Sequence, residues 1–164
     1  MNVDFEVIYE EYYSKIYNYV YYRVLNKQNA EDVVSDVFFK AMDGIHSFDG
    51  KRASVSTWLF RIATNTVNDL YRRGKNILHI PPEDLELPIP DTICLDLIHS
   101  EDLRRLHKCL EALDERTRTV IAMRYWGELS YAGVAKLTGL TEKNVSVVLS
   151  RGINKLRELF EKTF

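Results

Sequence analysis

The chain has 164 residues, enough for one domain or two small ones, and its 46% hydrophobic and 28% charged residues are sufficient for folded cores. No stretch reaches the roughly 20 apolar residues of a membrane span, and the acidic start MNVDFEVIYEEYY has no signal-peptide pattern. Two cysteines, Cys94 and Cys109, make no disulfide framework, so a cytoplasmic chain without direct membrane insertion is expected.

Phe5, Ile8, Tyr12, Ile16, Tyr19 and Val24 recur at helical spacing and predict a long first helix. Its many tyrosines read as core and interface rather than chemistry. Asn29 is placed to cap a second helix, whose apolar stripe is Val33, Val34, Val37, Phe38, Ala41 and Ile45. Gly44 and the SFDGKR run end that helix. Ser54 or Ser56 opens a third, with Leu59, Ile62, Ala63, Thr66 and Leu70 turned inward. Three helices sharing one core predict a compact bundle.

The faces left outside differ in chemistry. On the second helix Glu31, Asp32, Ser35 and Asp36 make an acidic face that repels DNA and suits a basic protein surface. On the third, Arg61, Asn65, Asn68 and Arg72 fall within about 60° of one another at 100° per residue, with Trp58 at their edge. Arginine and asparagine suit phosphates and base edges, and an aromatic beside them can stack on an unpaired base.

All four prolines, Pro81, Pro82, Pro88 and Pro90, lie in residues 75–92, where no helix can continue. The charge is blocked around this stretch. Residues 51–75 carry +5, residues 76–102 carry −7 and residues 136–164 carry +3, so a net charge of −2 hides two basic patches separated by an acidic connector. The fold expected is all-α, with two small helical domains at 1–75 and 100–164 joined by an extended, Pro-rich acidic linker at 76–99.

Residues 130–152, SYAGVAKLTGLTEKNVSVVLSRG, have the spacing of a DNA-reading helix-turn-helix. Ala135 lets two helices cross closely, and Gly139 can take the positive φ of a sharp turn. Leu137 and Leu140 flank that turn. Val145 and Val148 share one face of the second helix and pack back on the first. This leaves Lys143, Ser146, Val147, Ser150 and Arg151 on the outer face, with Asn144 beside them, where a recognition helix meets a major groove.

The sequence has no phosphate-cradling glycine loop, zinc-protease helix or nucleophile elbow, so no enzyme is expected and no catalytic residue, cofactor or metal is assigned. Cys94, His99, His107 and Cys109 match no common zinc spacing. A conventional repressor or activator would use the same helix-turn-helix, but the chain has no dimerising heptad seam. A helical adaptor protein is the third class open to the residues alone.

Four blocks in this order carry a resemblance: NAEDVVSDVFFKA at 29–41, STWLFRIATNTVNDLYRR at 56–73, LDERTRTVIAMRYWGELSY at 113–131, and the helix-turn-helix. Over nearly its whole length the chain resembles the ECF (extracytoplasmic function) sigma factors of bacterial RNA polymerase. The resemblance implies a transcription-initiation factor whose first domain binds the polymerase clamp and opens the −10 promoter element. Its second domain would read the −35 element, and the connector would thread the polymerase. It places Asp32, Ser35, Asp36 and Phe39 against core polymerase. It places Lys51, Arg52, Trp58, Arg61, Asn65, Asn68 and Arg72 at −10 DNA, with the loop from Ser47 to Ser54 cradling a flipped base. An anti-sigma factor is a further implied partner.

The chain departs from the family at two places. Ser146, Val147 and Val148 stand where a basic run is common, so Lys143, Asn144, Ser150 and Arg151 are the expected −35 contacts, alongside Ser146 and Val147. Ala132 and Gly133 replace acidic or long side chains, and a glycine inside a helix costs about 1 kcal/mol relative to alanine.

Overall fold

The computed structural model describes residues 3–74 and 100–162. Among them are seven α-helices and no strand, in keeping with the expected all-α class. The helices are α1 (Phe5–Val24), α2 (Lys27–Gly44), α3 (Val55–Arg72), α4 (Ser100–Glu111), α5 (Glu115–Ile121), α6 (Tyr131–Thr138) and α7 (Glu142–Lys162). A 3-10 turn follows α2 at Ile45–Ser47, and a π-helical stretch follows α5 at Ala122–Trp126. The extended connector expected at 76–99 lies outside the described residues, as do Cys94 and His99.

The N-terminal unit is set by its caps and its stripe. The Asp4 carboxylate accepts from the Glu6 N–H and starts α1. Leu25, at φ 56°, ends it in the left-handed region, with its N–H donating to the Tyr21 carbonyl. The cap of α2 is not Asn29. Asn26 is the residue in extended backbone, and its side-chain oxygen accepts the Asn29 N–H at 2.9 Å, so the helix starts three residues earlier than expected. The chain has already turned at Leu25, which leaves Asn29 inside the first turn. Ser54, rather than Ser56, caps α3 through the Thr57 N–H.

Ile8, Ile16, Tyr19, Val33, Val34, Val37, Phe38, Ala41, Leu59 and Ala63 are buried together, as the stripes require. Each fully buried aliphatic or aromatic side chain contributes about 1.5–3 kcal/mol to holding the three helices. Ile45 falls outside α2, in the 3-10 turn. Phe60, Thr64 and Val67 are buried on a second side of α3 that the stripe leaves out. That side faces the C-terminal unit.

The C-terminal unit is built by three further caps. Asp114 accepts from the Thr117 N–H and hydroxyl to start α5, Ser130 accepts from the Gly133 N–H to start α6, and Thr141 accepts from the Asn144 N–H to start α7. Gly133 therefore sits in a first turn, where the helix-interior penalty for glycine is relaxed. Arg105 of α4 lies 4.0 Å from the Phe160 ring centre and donates to the Phe160 carbonyl, tying the first helix of this unit to the last. Gly152 allows α7 to cross α5 closely: a Cβ there would lie 2.6 Å from Thr117 Cγ2.

The two units are docked on one another. Tyr22 of α1 stacks on Trp126 with ring centres 3.8 Å apart. Arg118 donates through Nε to the Arg23 carbonyl at 3.0 Å, and His107 Nε2 lies 3.2 Å from the Leu25 carbonyl. These groups satisfy carbonyls at the C-terminal end of α1 that have no partner further along the helix. Phe60 closes the contact against Gly127, where a Cβ would fall 2.9 Å from its ring.

Candidate nucleic-acid interface

The helix-turn-helix forms as its spacing requires. Gly139 closes α6 at φ 74°, and its N–H donates to the Ala135 carbonyl. Val134, Val145 and Leu149 are fully or nearly fully buried between α6 and α7, while Val148, Leu137 and Leu140 are half-buried around them. With that side of α7 fixed, Lys143, Asn144, Ser146, Val147, Ser150 and Arg151 are all exposed. All six expected −35 contacts therefore lie on the open side of one helix. Two cations, two short polar groups, an amide and one methyl-bearing side chain can supply phosphate contacts, hydrogen bonds and apolar contact to a thymine methyl.

The face of α3 is less uniform. Arg61, Asn65 and Arg72 are exposed, and Arg72 pairs with Asp69 at 2.9 Å. Lys51 and Arg52 stand exposed on the loop before α3, where Asp49 holds the Lys51 N–H and pairs with Arg52. Trp58 is half-buried with its ring 5.0 Å from that of Phe48, at the edge of the face as its register requires. A recess of about 670 Å³ opens beside it, lined by Val3, Phe48, Gly50, Lys51, Ala53 and Val55 among others. Asn68 differs from its neighbours on the face. It is half-buried, and its side-chain oxygen accepts from the guanidinium of Arg23.

Arg23 is a residue that pattern reading missed. It is only 3% exposed and lies at the end of α1. Its guanidinium donates to the Tyr19 hydroxyl at 3.2 Å, to Asn68, and across the domain contact to Glu115 at 3.2 Å. A single arginine in the apolar run YVYYRVL was the available signal, since such a residue is rarely buried without partners.

On α2, Asp32, Ser35, Asp36 and Phe39 are all exposed, and Phe39 is 64% exposed. Asp36 pairs with Lys40 at 3.0 Å, one turn on. Beside this face lies a groove of about 430 Å³ lined by Tyr9, Tyr13, Phe38, Phe39 and Met42, with Glu31 and Ser35 at its rim. An acidic edge along an aromatic groove fits a protein helix with basic flanks rather than nucleic acid. Of the four residues considered against zinc, His107 faces the Leu25 carbonyl and Cys109 is buried. The described residues contain no cluster of potential metal ligands.

Residues 8–77 match sigma-70 region 2 and residues 103–156 match sigma-70 region 4. RNA polymerase sigma factor YlaC of Bacillus subtilis is 30% identical over 96% of this chain and 92% of its own length. The chain belongs to the ECF sigma factor family. The ECF RNA polymerase sigma factor SigX of the same organism is 26% identical, covering 98% of this chain and 86% of that protein. The fold agrees with that of the sigma factor RpoE from Bartonella quintana, solved with the anti-sigma factor NepR, at a TM-score of 0.76 and 22% identity over 98% and 99% of the two chains. As a sigma factor, the protein directs promoter recognition and initiation of transcription by RNA polymerase. Among its described residues no helix is long and apolar enough to cross a membrane.

Proposed function

We propose that residues 1–75 of this ECF sigma factor bind core polymerase and open the −10 element, that residues 100–164 read the −35 element as duplex, and that residues 76–99 connect the two. The observation that carries this reading is the segregation of chemistry among three exposed faces. The acidic and aromatic side of α2, with Asp32, Ser35, Asp36 and Phe39, serves polymerase. The basic and amide side of α3, with Arg61, Asn65 and Arg72, serves the −10 strand, supported by Lys51, Arg52 and Trp58. The recess beside the Phe48–Val55 loop is large enough to receive a base turned out of the stack. The outer side of α7 serves the −35 duplex through Lys143, Asn144, Ser146, Val147, Ser150 and Arg151. The protein works in the cytoplasm as a regulatory DNA-binding subunit without catalysis of its own.

An anti-sigma factor is the proposed inhibitory partner. Supporting this, two structural neighbours were solved as sigma–anti-sigma complexes, RpoE with NepR and CnrH with the cytosolic domain of CnrY.

Reversing Asp32 and Asp36 to Lys tests the division of labour, because both are exposed and neither supports the core. This variant should lose core polymerase in a pull-down while keeping its fold. Replacing Asn65 and Arg72 by Ala should leave the pull-down intact and reduce strand opening on a permanganate footprint. Equal loss of polymerase binding in both variants would refute the assignment.

A further inference from the structure

We propose that Asp49 and Asp69 are positioning residues of the −10 surface, each competing with DNA phosphate for one arginine and so limiting how tightly a strand of any sequence is held. This inference rests on the assignment of α3 and its preceding loop to −10 DNA, and adds which residues set the backbone affinity there.

From Ser47 to Gly74 the chain carries two carboxylates, and both hold an arginine three residues further on. Asp49 Oδ2 lies 3.5 Å from Arg52 Nε, and Asp69 Oδ1 lies 2.9 Å from Arg72 Nη2. The paired arginines stand at the two ends of the surface, one in the loop before α3 and one in its last turn. Arg61 lies between them and has no carboxylate partner among the described residues.

Neither acid neutralises a buried cation. The side chains of Arg52 and Arg72 are 89% and 76% exposed, so each pair adds little to stability, while a carboxylate on a DNA-facing surface repels phosphate. Asp69 also sits in a negative setting. Asp32 and Asp36 of α2 line the same narrow cleft, with Lys40 and Arg73 opposing them. Lys40 is committed to Asp36 and to the Thr66 hydroxyl, which leaves Arg72 as the cation paired with Asp69.

A phosphate oxygen offers Arg72 the same charge-assisted bond that Asp69 already supplies. Strand binding therefore exchanges one pair for another, and the displaced carboxylate draws a cation back from solution. The contact gains less affinity and releases fewer ions than a contact to Arg61, which has nothing to give up. Since phosphate contacts carry no sequence information, the trimmed affinity falls on the sequence-independent part of binding. Asp49 does the same for Arg52, and in addition holds the Lys51 N–H at 3.0 Å.

Asp69→Asn in the full chain assembled with core polymerase tests the competition. Fluorescence anisotropy follows a single-stranded −10 oligonucleotide and a scrambled one over a KCl series, with core enzyme alone as the blank. Both strands should bind about threefold more tightly, the effect of releasing one exposed ion pair. The salt dependence should steepen toward the roughly 0.7 ion that an uncompeted contact to a single strand releases. Asp69→Glu keeps the charge and should stay near the parent, and Arg72→Ala should cancel the gain of Asp69→Asn. Asp49→Asn with Arg52→Ala forms a second cycle in the loop, where asparagine can still accept the Lys51 N–H.

A folded Asp69→Asn holoenzyme with parental strand affinity and salt dependence, when Arg72→Ala weakens both strands, would overturn the competition. So would a gain of equal size in the Arg72→Ala background, which marks general charge repulsion instead. The loop pair is judged by the same two outcomes. If Arg61→Ala and Arg72→Ala both leave the −10 strand bound normally, the assignment of α3 fails, and the competition fails with it.

Discussion

Gly152→Ala measures how closely the recognition helix is held to the rest of its domain. The new Cβ would lie 2.6 Å from Thr117 Cγ2 and 3.0 Å from Ile121 Cδ1. Thr117 cannot rotate away freely, because its hydroxyl donates to Asp114 at 2.7 Å and its N–H to the same carboxylate at 2.9 Å. Relieving the clash therefore means either breaking the cap of α5 or moving α7 outward. Overpacking of this kind costs about 1–3 kcal/mol, and the helix preference of alanine over glycine returns about 1 kcal/mol. The net loss should be about 1 kcal/mol, a fall in Tm of about 2–4 °C for a chain of this size. Differential scanning calorimetry of the full chain reads it directly. Thr117→Ser removes the offending methyl and keeps the hydroxyl, so it should restore most of the loss in the Gly152→Ala background while giving little by itself. A Gly152→Ala protein as stable as the parent, or one that Thr117→Ser does not rescue, would refute the close crossing of α5 and α7.

Other outcomes follow from the same geometry. Arg151→Ala removes one of the two cations among the six expected −35 contacts on α7 and should strongly weaken −35-dependent transcription. Val147→Ala should instead change base preference more than overall affinity, as read by selection from a randomised −35 library. The hydrogen bonds from Thr117 hold the Asp114 carboxyl below its usual 3.8, so its contribution is present at neutral pH and is lost as pH falls through 3.8 toward the folded-state value. Asp114→Asn keeps a good cap and removes the titration, so it should match the parent near pH 7 and show a shallower fall in stability on acid titration. The free protein should bind duplex promoter weakly at physiological salt, because its basic surface is small and divided; nanomolar, sequence-specific binding without polymerase would contradict this.

Much of the fold was legible because local chemistry and periodicity agree. The stripe Val33, Val37, Ala41 is a helix wherever it is placed, and Gly139 with Val145 fixes a sharp turn and the side of α7 that packs. The recognition face follows from that side by geometry alone, which is why all six of its residues are found exposed. The cap of α2 was misplaced because Asn26 and Asn29 are equally good caps in isolation, and the left-handed turn at Leu25 decides between them. Phe60, Thr64 and Val67 escaped the α3 stripe because that helix is buried on two sides, and a single-face pattern describes only one. Arg23 and Glu115 meet across 92 positions, and Trp126 of the π-helical stretch meets Tyr22 from further still along the chain, contacts that no local periodicity encodes. Asn68 shows the consequence, since its register puts it on the face of Arg61, Asn65 and Arg72, yet it is half-buried and bonded to Arg23.

Promoter-specific run-off transcription with purified core RNA polymerase tests the central claim most directly. The full chain should copurify with core enzyme and direct transcripts from a defined start on promoters selected by the holoenzyme, with output lost when either the −10 or the −35 element is scrambled. Core enzyme that gains no promoter-specific transcript from the folded protein would contradict the account.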